Sequence, residues 1–326
     1  CSVRRQRQMC IRDRPRSKRR VVFTPVSSIV GKRQKYQNSI DGDTMMRKYA
    51  YGLRLLLALV LASGIFVTAA PMQMEAKETQ AYTTQDLNEQ LVMATLWMQT
   101  SAEFRALCYQ AFNLARMNLD AFLDSHKSAK PVAVIVDADE TVIDNSAYEA
   151  FLIGQNFGYS SKTWNPWMQA AQATAMPGAL EFLKYAESRN VEIFYVTNRK
   201  MVGYEGTEKN LKALGFQNVD PKHLLLRTGS SDKQERRNMV EKDYEVALLM
   251  GDNHNDFHSA FWNKSVAERF AETDRFKDSW GTKFIVLPNP TYGDWEGSVY
   301  EGNWGASAAE KDQMRKGLLK RWNYQP

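Results

Sequence analysis

Apolar positions follow two distinct periods along the chain. Between residues 86 and 126 they recur at helical spacing: Leu87, Leu91, Met93, Ala94 and Trp97, then Phe104, Leu107, Ala111, Leu114 and Leu119. That is the stripe of amphipathic helices. From Val132 to Val136 the residues are apolar without interruption and rich in β-branched types, which predicts a short strand buried on both faces. Four further strands are predicted at Glu192–Val196, Leu224–Leu226, Glu245–Met250 and Lys283–Leu287. Helical patterns separate them at Gly178–Ser188, Thr207–Leu214, Gln234–Val240 and Phe257–Phe270. Strand alternating with helix predicts an α/β fold, a doubly wound parallel sheet with helices on both faces. Residues 145–177 break the alternation and carry Tyr148, Phe151, Phe157, Tyr159, Trp164 and Trp167. This insert leaves the end of the first strand, so it is expected to cover that edge as a cap, with a small satellite core as the plainer reading.

Charge changes the picture of the N-terminus. The formal net charge of the 326 residues is +6, but residues 1–44 contribute twelve Lys/Arg against three Asp/Glu, a net of +9, and residues 71–326 carry a net of −6. The body is mildly acidic, so the basic average gives no ground for a nucleic-acid polymer as partner. Residues 1–44 lack apolar periodicity and are read as a doubtful upstream or non-native leader, with the start at Met45 or Met46. Arg47, Lys48 and Arg54 precede the apolar stretch Leu55 to Val67, and Thr68-Ala69-Ala70 supplies small residues for cleavage. That order predicts a signal peptide over 45–70, short for a membrane span, with a signal anchor as the runner-up. A periplasmic or secreted chain starting near Pro71 is expected, with no stable membrane span after cleavage. It keeps Cys108 alone, so no intrachain disulfide is expected, and Cys108 lies in a helical apolar pattern that suits burial. Residues 71–326 are read as one α/β domain with cap elements at about 86–126 and 145–177.

The candidate chemistry lies at the predicted strand ends. The first strand runs into Asp137 and Asp139, the second into Thr197-Asn198-Arg199, and the fourth into Gly251-Asp252-Asn253-His254-Asn255-Asp256. Ser230-Ser-Asp-Lys233 precedes a helix and offers an ammonium group. Ligands of open α/β sheets bind at the carboxyl ends of the strands. Four carboxylates gathered there repel one another unless a cation sits among them. Oxygen donors without a Cys/His cluster point to Mg²⁺ rather than Zn²⁺. His254 and His258 have a spacing that can bind metal but no evident third ligand, and a helix-start role or solvent exposure is the better reading.

Asp137-x-Asp139-x-Thr141, Thr197, Lys233 and Gly251-Asp252-x-x-x-Asp256, in this order, resemble the four motifs of the haloacid dehalogenase (HAD) superfamily. The chain is more closely similar to the class C bacterial acid phosphatases, some of which are 5′-nucleotidases. That likeness is carried by Asp-Glu-Thr-Val-Ile-Asp-Asn-Ser (139–146), Met-Pro-Gly-Ala (176–179), Val-Thr-Asn-Arg (196–199), Gly-Asp-Asn (251–253) and Leu-Pro-Asn-Pro-Thr-Tyr-Gly-Asp-Trp-Glu (287–296). It implies a Mg²⁺-dependent hydrolase of small phosphate monoesters, acting through an aspartyl-phosphate. In that scheme Asp137 is the nucleophile and Asp139 the general acid and base, which must begin protonated and so favours weakly acidic pH. Asp137, Asp252 and the Asp139 carbonyl would hold the metal, with Asp256 orienting a metal-bound water. Thr197 and Lys233 would bind the phosphoryl oxygens. Arg199 would join them or form a surface salt bridge. The resemblance also implies that Trp164 and Tyr292 clamp an aromatic ring of the substrate, a nucleoside 5′-monophosphate or NMN, where ordinary packing is the alternative.

Two departures from the family pattern matter. Leu61-Ala-Ser-Gly64 is followed by Ile65, so there is no lipobox cysteine. Ala138 stands where relatives commonly carry a larger apolar residue, and its side chain is expected to point away from the phosphate. A phosphotransferase on the same core, or a non-catalytic secreted binding protein, are the alternative functions. Self-association stays open.

Overall fold

The computed structural model describes residues 81–325. The predicted leader, signal peptide and start near Pro71 lie outside the described residues, as do Cys1 and Cys10. Five parallel strands form the sheet: β1 (Val132–Val136), β4 (Glu192–Lys200), β5 (Leu224–Arg227), β6 (Glu245–Gly251) and β7 (Phe284–Val286). Their order is β5-β4-β1-β6-β7. The chain fills one side of β1 with β4 and β5, then returns to fill the other with β6 and β7. The order therefore reverses between β1 and β6, and a crevice opens at such a reversal.

All five residues of β1 are buried. Val132, Val134 and Val136 face one core, with Ala138 beyond them, while Ala133 and Ile135 face the other. That alternation is the period of a strand covered on both faces. The first core is closed by α3 (Ala102–Ser125), through Phe104, Cys108, Phe112 and Leu119, and by α6 (Ala179–Ser188), through Phe182 and Leu183. The second is closed by Val240 of α8 (Gln234–Asp243), with Phe257 and Phe284. Ala138 is fully buried on the first core side. Cys108 is a free, fully buried thiol that burial and Asp144 push up to about 12, so it stays protonated.

The helical stretch before β1 divides into α1 (Thr84–Asn88), a 3₁₀ turn, α2 (Val92–Thr100) and α3. Thr83 and Asp86 form a reciprocal capping box, and Ser101 Oγ accepts the Phe104 N–H, so a side-chain cap starts α1 and another α3. Helix α3 belongs to the core layer, whereas Thr84, Leu87, Asn88 and Leu91 reach the crevice. The insert holds α4 (Ser146–Leu152) and α5 (Ser161–Ala170). Its root is tied by a two-strand antiparallel ribbon, β2 (Ile143–Asp144) with β3 (Thr174–Ala175).

The helix predicted over Phe257–Phe270 is corrected. One 3₁₀ turn, His254–Asp256, ends just before it, a second, Ser259–Phe261, lies in its first half, and α9 starts only at Val266 and runs to Arg275. Ser265 and Glu268 form the capping box that sets this start. Phe257 and Phe261 are buried through turns, so their four-residue spacing imitates a helix. The remaining elements are α7 (Tyr204–Leu214), α10 (Asp294–Val299) and α11 (Ala308–Gly317). Among the described residues no helix is long and apolar enough to cross a membrane.

Candidate active site

At the carboxyl ends of β1 and β6 the structure gathers Asp137, Asp252 and Asp256, with one carboxylate oxygen of each within 4.8 Å of the others. Lys233, one residue before α8, is 3% exposed. Its Nζ is 2.5 Å from Asp256 Oδ1 and also donates to Asp137 Oδ1. Asp252 Oδ2 accepts from Asn289 Nδ2 at 2.8 Å and has no ion-pair partner among the described residues. Gly251 is required by close approach: a Cβ there would overlap the Asp256 carboxylate. Asp256 Oδ2 in turn accepts the Asn253 N–H at 2.9 Å, which folds the loop back under β6.

Electrostatics match a cation site. Burial, with Asp256 and Asp139 nearby, pushes Asp137 up to about 7 against the pull of Lys233. Burial, Asp256 and Asp137 push Asp252 well above the usual carboxylate range. Carboxylates so crowded gain most from a positive ion placed between them. The donors are all oxygen, which suits a hard divalent cation.

Asp139 faces a different set of partners. Arg199 Nε donates to its Oδ1 at 2.9 Å, and Asn145 Nδ2 to the same oxygen at 2.8 Å. Asn145 is fully buried and joins three parts of the site, for its Oδ1 also accepts from Arg199 Nη2 at 3.0 Å and Trp167 Nε1 at 2.9 Å. Arg199 is 2% exposed, so the surface salt bridge is corrected: the pair is buried on the arginine side. Residues after β1 turn sharply at Glu140, whose φ of +55° is in the left-handed region. The Glu140 carboxylate, fully buried, accepts the Asn145 N–H at 2.7 Å and the Tyr292 hydroxyl.

These groups border a cavity of about 850 Å³, lined by Asp137, Asp139, Arg199, Lys233, Asp252 and Asp256 as well as Trp164 and Tyr292. Trp164 is half-buried, with its ring edge-on to Tyr148 at 4.9 Å between centroids and the Arg199 guanidinium 5.4 Å from its own centroid. Thr197 is fully buried within β4, three residues before its end, and does not line the cavity. Its Oγ1 accepts the Arg199 N–H at 3.1 Å, which leaves its O–H to donate. His254 and His258 are structural. His254 stacks on Trp280 at 4.8 Å and burial lowers it to about 4, while His258 Nδ1 accepts the Ala260 N–H.

Residues outside the sequence-derived set also shape the site. Glu140 and Asn145 sit inside the motif 139–146 and Asn289 inside 287–296, so their positions carried a signal even though their roles did not. Glu149 of α4 carried none. It is 6% exposed on the cavity wall, and burial with the nearby Glu296 carboxylate pushes it up to about 7. The folded state thus keeps a proton that the unfolded chain releases near 4.5. Stability from this group is full below that pH and is lost as pH rises toward 7. Glu149→Gln cannot ionise, so its stability relative to the parent should rise between pH 4.5 and pH 8, by up to about 3 kcal/mol. Thermal melts of both proteins across that range check this, and a difference that does not change with pH would count against it.

A parallel sheet that brings carboxylates from two adjacent strand ends onto one buried lysine defines a HAD-like α/β phosphohydrolase. A family model described as HAD superfamily, subfamily IIIB (Acid phosphatase) matches residues 56–295, and the chain belongs to that family of phosphoric monoester hydrolases. Two structures of the class C acid phosphatase from Bacillus anthracis, one with tungstate bound, are each 41% identical to the chain. Each covers 73% of this chain and 99% of its own, with a TM-score of 0.70. The stem 31 kDa glycoprotein of Glycine max is 26% identical over an alignment of 170 residues that covers 48% of this chain and 58% of that protein's length.

Proposed function

We propose that the protein is a secreted, Mg²⁺-dependent acid phosphatase that prefers nucleoside 5′-monophosphates or NMN. The observation that carries the reading is Asp137 at the end of β1, paired with buried Lys233 beside Asp252 and Asp256. Asp137 attacks phosphorus in line, the ester P–O bond breaks, and Asp139 delivers a proton to the leaving oxygen. Water then attacks the aspartyl-phosphate, Asp139 takes the proton back, and inorganic phosphate leaves with Asp137 restored. Arg199 and Asn145 orient Asp139 for both transfers. Lys233 holds phosphoryl oxygens as charge spreads over them, and Thr197, enclosed behind the cavity, supports Arg199 by accepting its backbone N–H. Asp137, Asp252 and the Asp139 carbonyl are the residues that would hold Mg²⁺, with Asp256 beside them, and the ion when bound supplies positive charge between nucleophile and phosphate. A phosphate site takes tetrahedral oxyanions, and the Bacillus anthracis relative is described with tungstate bound.

The substrate preference rests on the wall. Trp164 and Tyr292 both border the cavity, and the Tyr292 ring is fixed through Glu140. A cavity of about 850 Å³ accepts a nucleotide rather than only a small aliphatic ester. Secretion rests on the residue order over 45–70.

The test is turnover of p-nitrophenyl phosphate with and without EDTA, followed by a panel of phosphate esters. Activity lost in EDTA and restored by Mg²⁺ is expected, and EDTA-insensitive turnover would overturn the metal assignment. Trp164→Ala should raise KM for a 5′-nucleotide about tenfold, the equivalent of about 1.4 kcal/mol of stacking, and leave a small aliphatic ester nearly unchanged. Equal losses on both would reduce Trp164 to a packing residue.

A further inference from the structure

The helical wall of the cavity holds a carboxyl that the reaction does not use. Glu149 is more than nine-tenths buried, borders the cavity, and has no hydrogen-bond or ion-pair partner among the described residues. Its neighbours on that wall are already committed. Glu296 Oε1 accepts from Arg315 Nη2 at 2.5 Å and from the Tyr300 hydroxyl at 2.6 Å. The Arg315 Nη1 donates to Gln90 Oε1 at 2.9 Å. Asn88 Nδ2 donates to the carbonyls of Leu152, Gln155 and Phe157.

A buried polar group without a partner is costly, and folded chains seldom keep one. One that borders a binding cavity finds its partner in the ligand. The phosphate of any substrate is fixed at Asp137 and Lys233, so whatever else fills the cavity is the leaving group. We propose that Glu149 is a specificity-determining residue for the leaving group, sharing a hydrogen bond with an O–H or N–H donor on the alcohol portion of the substrate. This rests on the phosphatase reading and adds a chemical rule to it. The aromatic residues of the wall tolerate any flat ring. Glu149 selects rings and sugars that carry donors, and disfavours leaving groups that place a negative charge beside it. Burial keeps the group protonated at acid pH, where it both donates and accepts.

The experiment compares the parent with Glu149→Gln, Glu149→Leu and Glu149→Ala at pH 6, on adenosine 5′-monophosphate and on p-nitrophenyl phosphate, whose leaving group has no donor. Glu149→Leu and Glu149→Ala are expected to raise KM for the nucleotide about tenfold, the worth of one hydrogen bond, with kcat nearly unchanged. KM for p-nitrophenyl phosphate should stay within about twofold. Glu149→Gln, which also donates and accepts, should restore the nucleotide KM to within about threefold of the parent. If Glu149→Leu does not fold, Glu149→Ala, which adds no bulk, carries the comparison. Equal changes on both substrates, an unchanged nucleotide KM, or a Glu149→Gln variant as impaired as the alanine would overturn the proposal. A parent that hydrolyses p-nitrophenyl phosphate but not the nucleotide would overturn it and leave the phosphatase reading standing. A parent inactive on both would overturn both.

Discussion

Asp137→Asn is expected to lower kcat for p-nitrophenyl phosphate by at least about 10⁴-fold, since the substitution removes the nucleophile itself rather than a group that assists it. Asn keeps the shape of the side chain but cannot form an acyl phosphate, and it withdraws one anionic donor from the cluster with Asp252 and Asp256. The fold should survive. Lys233 keeps its pair with Asp256, so no buried charge is orphaned. In EDTA the variant loses one of three crowded carboxylates, and burial already works against charge at Asp137. Its melting temperature in EDTA should therefore be no lower than the parent's. Turnover within about tenfold of the parent, with contaminating phosphatase excluded by a mock purification, would remove Asp137 as nucleophile.

The parts of this site that were legible in the sequence are those attached to strand ends. An uninterrupted run such as Val132–Val136 announces a strand covered on both faces, and the position after it is then fixed at the carboxyl edge. Asp137 and Asp252 are placed by that logic, because β1 and β6 are neighbours in the sheet. Lys233 required the family motif, since nothing in Ser230-Ser-Asp-Lys233 shows that the residue before α8 returns to β1. For Arg199 the sequence leaves phosphoryl binding and a surface salt bridge both open, and the second fails for a related reason. A strand end gives the position of a side chain but not the insert that folds over it, and Asn145, Trp164 and Trp167 close over Arg199 from that insert. Glu149 was out of reach altogether. Its neighbour Glu296 lies more than half the body of the chain away in sequence, and no local pattern records that approach. The first half of the predicted Phe257–Phe270 helix failed because burial spacing alone does not distinguish successive turns from a helix, and the start is set instead by the Ser265–Glu268 capping box.

Lys233→Met should lower kcat by about 10² to 10³-fold, the usual loss when one donor to a developing oxyanion is removed. The side chain is nearly isosteric along its stem, so the change is the ammonium group alone. That group has two tasks in the structure, pairing with Asp137 and Asp256 and, in the proposed reaction, holding a phosphoryl oxygen. Stability separates the tasks. Without Lys233 both carboxylates are buried with no cation, and breaking a buried pair from one side costs about 3–5 kcal/mol. Melting in EDTA should therefore fall clearly, and fall further as pH rises, because protonation is then the only way left to neutralise the two acids. Mg²⁺ should return most of the lost stability, since a divalent ion replaces the missing charge among Asp137, Asp252 and Asp256. It should not return kcat, because an ion held by those acids does not replace a donor aimed at the transferring group. A variant whose kcat recovers with Mg²⁺ alongside its melting temperature would show that Lys233 serves only to neutralise the acids, and the phosphoryl contact would then have to come from other groups on the cavity wall.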